Sequence, residues 1–129
     1  MDRVFLDTSF LIGFVNSDDR HHETSRELMK KFKSPIISDY VFVETLNVLY
    51  SRTDHRTAKN FGEYLRKSQI NIVKTDTTIF EKSFEIFREN DNSFTDASIV
   101  AAMNTLGLEK LATFDEDFKK YEIKLVPEK

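Results

Sequence analysis

Residues 3–15 read RVFLDTSFLIGFV. Val4, Phe5 and Leu6 form an apolar run of strand length. A second apolar stretch follows, and Ser9–Phe14 has the length of a short helix. Between them stands one carboxylate, Asp7. A carboxylate buried without a partner costs several kcal/mol or gives up its charge. The placement of Asp7 therefore requires compensation from elsewhere in the chain, and the rest of the sequence offers it.

Downstream, short apolar runs alternate with helical periodicity. Strand-like runs occur at Pro35-Ile36-Ile37, Ile70–Val73, Leu111-Ala112-Thr113 and Ile123–Val126. Between them, Glu23–Phe32 places Ser25, Leu28, Met29 and Phe32 on one helical face. Tyr40–Arg52 carries a stripe of Phe42, Leu46, Leu49 and Tyr50. Thr57–Lys67 repeats the spacing with Ala58, Phe61 and Leu65, and Thr77–Arg88 with Phe80, Phe84 and Phe87. Thr95–Leu106 is apolar nearly all round, as a deeply buried helix would be, and Gly107 follows as a stop signal. The twelve Phe read as core filler. Buried strands alternating with helices imply a five-stranded parallel sheet covered by helices on both faces, an α/β fold.

Sheets of this kind bind ligands at the carboxyl ends of their strands. Asp7 follows the first strand and Asp115 the fourth. Asp96 begins the helix that leads into the fourth strand, so it lies at the same edge. Glu44 lies early in the helix after the second. Each acid has a simpler reading. Asp7 would cap the helix after it. Glu44, with Asn47 and Ser51, would mark a solvent face. Asp96 completes SFTD, a capping-box pattern from Ser93. Asp115 and Asp117 would favour a helix start. Taken together, four acids from distant segments converge, and converging carboxylates repel one another unless a cation sits among them. All-oxygen ligands select Mg²⁺ or Mn²⁺, and such an ion can serve the hydrolysis of any phosphoester.

The 129 residues suit one domain, 1–129, with a single core. The chain has no cysteine, which excludes a disulfide framework or thiolate metal site and fits a cytoplasmic protein. No run approaches the ~20 apolar residues of a membrane span, and the N-terminus lacks a signal-peptide layout. A net charge of −3 argues against holding nucleic acid by a global basic field. Two local basic groups stand out. One comprises Arg52, His55, Arg56, Lys59, Arg66 and Lys67, interrupted by Asp54 and Glu63. The other comprises Arg26, Lys30, Lys31 and Lys33. Both read either as phosphate-contacting rims or as solvated helix faces. His21, His22 and His55 lack metal-ligand spacing and read as surface or cap residues.

The segments FLDTSFLIGFVNSDDRHHE, ETLNVL, SFTDASIVAAMNTLGL and LATFDEDF, in that order, resemble the PIN-domain ribonucleases, specifically the VapC-type toxins of toxin–antitoxin pairs. The resemblance runs from Val4 to Phe118. It implies a three-layer α/β/α sandwich with strand order 3-2-1-4-5 and metal-dependent hydrolysis of RNA, leaving 5′-phosphate and 3′-hydroxyl ends. Asp7, Glu44, Asp96 and Asp115 carry over as the catalytic and metal-holding acids, with Asp117 a second candidate for the fourth position. The hydroxyls of Thr8, Ser9 and Thr113 carry over as their supports. The family also implies a homodimer silenced by a VapB-like antitoxin, one of whose arginines would pair with the acids. Two other readings remain open: an RNA-processing PIN nuclease without an antitoxin, and a non-catalytic PIN-fold binding module.

Overall fold

In the computed structural model, residues 3–128 are described; Met1, Asp2 and Lys129 of the expected 1–129 domain lie outside the described residues. The elements run β1 (Arg3–Leu6), α1 (Thr8–Val15), α2 (His22–Met29), β2 (Ser34–Ser38), α3 (Asp39–Arg52), α4 (His55–Lys67), β3 (Asn71–Val73), α5 (Thr77–Glu89), α6 (Phe94–Leu106), β4 (Lys110–Ala112), a 3₁₀ turn (Glu116–Lys120) and β5 (Lys124–Val126). All four strand pairings are parallel, in the order β3-β2-β1-β4-β5. Right-handed crossovers place α1–α4 on one face of the sheet and α5 and α6 on the other. This is the expected sandwich. β1 lies at its centre, where the strand order reverses.

The core follows from the apolar runs. Val4, Phe5 and Leu6 are fully buried, as are Ile37, Leu111 and Ala112 on neighbouring strands. α6 is buried from Ala97 through Met103, so both the sheet and α5 cover it. It ends at Gly107, the one residue with positive φ (69°) among those described, where a side chain would be strained.

The expected stripe on α5 faces the other way, and that on α3 is turned to one side with Leu49 still buried. On α5 the inward positions are Ile79 and Ser83, while Phe80, Phe84 and Phe87 are 44%, 45% and 40% exposed. These three phenylalanines are therefore surface residues rather than core filler. The first and last pack on the half-buried ring of Phe94. On α3 the buried stripe is Val41, Thr45 and Leu49. Phe42 and Leu46 pack at its side, against α4, and Tyr50 is exposed. No helix among the described residues is long and apolar enough to cross a membrane.

Candidate active site

The central strand ends at Leu6, and the chain turns at once into α1, with Asp7 in extended backbone (φ −84°, ψ 161°) as its N-cap residue. Its side chain makes no cap bond. Instead the Thr113 hydroxyl donates to Asp7 Oδ2 at 2.7 Å, and the Ser9 hydroxyl donates to the same oxygen at 2.9 Å. These hydroxyls are themselves held. Asp115 N–H donates to Thr113 Oγ1 and Phe114 N–H to Ser9 Oγ, each at 3.0 Å. The loop after β4 is thereby tied to the loop after β1. Thr8 is buried beneath, with the Thr45 hydroxyl 3.5 Å from its own.

Asp7, Glu44, Asp96 and Asp115 line a single cleft of about 290 Å³ at this edge of the sheet. Asp96 is delivered by the first turn of α6, capped by Ser93, whose hydroxyl accepts from Asp96 N–H at 3.0 Å. Asp115 caps the 3₁₀ turn by accepting from Asp117 N–H at 2.9 Å. Asp96 and Asp115 thus each stand at a helix start and also line the cleft. Asp117 is exposed and does not line the cleft.

Electrostatics reflects the crowding. Burial pushes the Asp7 carboxyl above the ordinary aspartate range, against the lowering effect of the Thr113 and Ser9 hydroxyls. Asp96 is pushed up to about 7, first by desolvation and then by the charges of Asp7, Asp115 and Glu44. Glu44 Oε2 is buried and has no hydrogen-bond partner among the described residues. Such an oxygen bears a desolvation cost that a cation would relieve. Among the described residues, no three acidic or imidazole side chains already close around one ion. Mg²⁺ does not require such a cage, because it keeps several waters and takes one or two carboxylates. The all-oxygen donors, their mutual repulsion and the orphaned Glu44 oxygen fit a hard divalent ion held partly through water.

Three further residues complete the cleft. Arg52, at the end of α3, is the one member of the two basic groups that lines it; Arg26 lines a separate groove between α2 and α4. Asp19 and His21 form another part of the wall. Asp19 lies in a polar turn within the first motif segment, where nothing in the sequence marks it as a cleft acid. His21 was expected as a surface or cap residue. It does precede α2, without a side-chain cap bond, but its ring stacks on Phe114 at 3.9 Å and 6° beside the acids. Its place two residues after Asp19, in DDRHHE, is the only available signal.

The PIN-domain family model, described as "PIN domain", matches residues 4–124. The chain is 29% identical over 120 residues to the 23S rRNA-specific endonuclease VapC20 of Mycobacterium tuberculosis, covering 89% of this chain and 91% of that protein. It is 23% identical over 141 residues to ribonuclease VapC6 of Methanocaldococcus jannaschii, covering 92% of each. The crystal structure of VapC20, described as a Sarcin-Ricin loop cleaving toxin, superposes with a TM-score of 0.85 at 26% identity, covering 93% of this chain and 98% of that one. VapBC2 from Rickettsia felis, bound to a promoter DNA fragment, shares the fold at 15% identity and a TM-score of 0.71, covering 95% and 96%.

Proposed function

The chain belongs to the PIN-domain family, and on that premise we propose that it is a metal-dependent endoribonuclease acting as the toxin of a VapBC-type pair in the cytoplasm. The observation that carries this reading is the meeting of Asp7, Glu44, Asp96 and Asp115 in one cleft, from four segments far apart in sequence. The two curated relatives are an endonuclease and a ribonuclease by name, which supports RNA as the substrate class.

Asp7, Asp96 and Asp115 would hold Mg²⁺ or Mn²⁺ directly or through water, with Glu44 beside them. The ion, when bound, supplies a Lewis acid that activates water and stabilises charge on a phosphoryl group. The chain's own residues do the rest. Ser9 and Thr113 fix the orientation of the Asp7 carboxylate through Oδ2. Glu44 Oε2, which has no hydrogen-bond partner among the described residues, would accept a hydrogen bond from the attacking water and so orient it. Arg52 offers a guanidinium to a phosphate entering the cleft.

An antitoxin would silence the site by placing an arginine among the same carboxylates. The homodimer would form through the exposed face of α5. Antiparallel pairing of two α5 helices about Phe84 buries Phe80, Phe84 and Phe87 of both. It also brings Glu81 of each copy toward Arg88 of the other, a self-complementary charge pair.

Incubating the protein with total cellular RNA in Mn²⁺, Mg²⁺ or EDTA tests the reading. Discrete fragments with 5′-phosphate ends, formed only with metal, are expected. Metal binding without cleavage of any RNA would instead favour a non-catalytic binding module.

A further inference from the structure

The cleft is a poor electrostatic host for RNA. Among the described residues, Asp7, Asp19, Glu44, Asp96 and Asp115 line it against one cation, Arg52. A bound divalent ion offsets part of that charge at the reacting phosphate, but the neighbouring nucleotides need attachment of another kind. Stacking on an aromatic ring is such an attachment, because every base has a π-face and the interaction needs no charge.

The structure carries a ring at the required place. Phe10, fully buried, stacks on Phe114 (5.9 Å, 20°), and Phe114 stacks on His21 (3.9 Å, 6°), which lines the cleft. The column therefore runs from the core to the wall beside Asp7 and Asp115. Its outer ring is held from several sides. Asp19 Oδ1 accepts from the backbone N–H of His21 at 2.8 Å, which fixes the chain there, and Arg20 Nε donates to the ring at His21 Nε2 at 3.2 Å. Gly13 lets α1 approach closely. A Cβ there would stand 2.6 Å from Ser25 Oγ and 3.4 Å from both His21 Cβ and a Phe114 ring carbon. The next residue, His22, faces the carbonyl oxygen of Gly13 through Nδ1 at 2.9 Å. A ring positioned in this way loses little freedom when a planar group settles on it.

Resting on the nuclease reading above, we propose that His21 is a substrate-positioning platform on which an unpaired base next to the scissile phosphate stacks. Unpaired bases presented to aromatic side chains, histidine included, are the usual basis of sequence-selective RNA recognition.

The test uses the full chain and a single-stranded RNA spanning a cleavage site mapped with the wild-type protein, carrying 2-aminopurine on either side of the scissile phosphate. The chain contains no Trp, so the probe's emission is read without interference. Binding is titrated in Ca²⁺ for wild type, His21→Ala and His21→Phe, and kcat and KM are measured in Mn²⁺. Wild type and His21→Phe are expected to quench the probe. His21→Ala, folded by its melting curve, is expected to leave it bright, with about tenfold weaker binding and a matching rise in KM at little-changed kcat. Equal quenching and KM in folded His21→Ala overturns the platform while leaving the nuclease reading intact. If the ring's fit is what matters only structurally, His21→Phe quenches no more than His21→Ala, which also overturns it. Absence of any mapped cleavage site fails the nuclease reading and the platform with it.

Discussion

Thr113 Oγ1 donates to Asp7 Oδ2 at 2.7 Å across 106 positions of sequence. The bond joins the ends of two adjacent strands, β1 and β4, and fixes the acid that opens the cleft. Thr113→Val keeps the shape and removes the donor. It should destabilise the metal-free protein by about 1–3 kcal/mol, and by more at pH 8 than at pH 5, because a lost donor costs most where the carboxyl is ionised. Loss of a donor to the carboxylate also raises the Asp7 pKa further, so the acid limb of the rate profile should move to higher pH. Urea unfolding at the two pH values and a pH–rate series in Mn²⁺ check both effects.

Asp7→Asn should separate function from stability. Asn can still accept from Ser9 and Thr113, while the buried charge is gone. In EDTA the variant should be as stable as wild type or more so, by about 1 kcal/mol, because the desolvation that raises the Asp7 pKa no longer applies. Melting curves in EDTA and in Mg²⁺ give the comparison. Wild type should gain stability from the ion and the variant much less, since ligand binding to the folded state alone stabilises it by mass action.

Asp96 gives the metal-free protein an inverted pH dependence. Its carboxyl is pushed up to about 7 in the fold, against an ordinary value of 3.8. The folded state therefore binds more protons than the unfolded chain between these values. That contribution to stability is full below about pH 4 and is lost as pH rises toward 7. In EDTA the melting temperature should fall from pH 5 to pH 8, and Asp96→Asn should flatten the fall. Mg²⁺ should reverse it, with affinity rising through pH 7 as the proton leaves.

Phe84→Glu tests the α5 face. Three half-exposed phenylalanines on one helix are unusual for a lone monomer surface. The wild type should sediment as a dimer and Phe84→Glu as a folded monomer. A monomeric wild type at tens of micromolar would remove this face from the account.

The sheet was legible because Val4–Leu6, Ile36-Ile37 and Leu111-Ala112 are uninterrupted apolar runs, and parallel strands buried on both faces have that composition. Asp7, Glu44, Asp96 and Asp115 were legible because topology alone brings their segments to one edge. The direction of α5 was not. Phe80, Phe84 and Phe87 have the same helical spacing as Ile79, Ser83 and Ile86, and periodicity cannot say which stripe faces inward. Tyr50 misled for the same reason on α3. Asp115 and Asp117 could not be separated in DEDF, because the choice depends on a 3₁₀ turn that leaves Asp117 exposed. The place of His21 in the cleft was not legible, because its stacking partner, Phe114, lies at the far end of the chain.

The most direct measurement compares wild type, Asp7→Asn and Asp96→Asn on the same RNA in Mn²⁺, each variant first shown to be folded. The account predicts discrete cleavage by wild type and a rate at least about a hundredfold lower in both variants, since each removes an acid from the group that positions the ion and the water. Undiminished cleavage by either folded variant would contradict the assignment of this cleft as the active site.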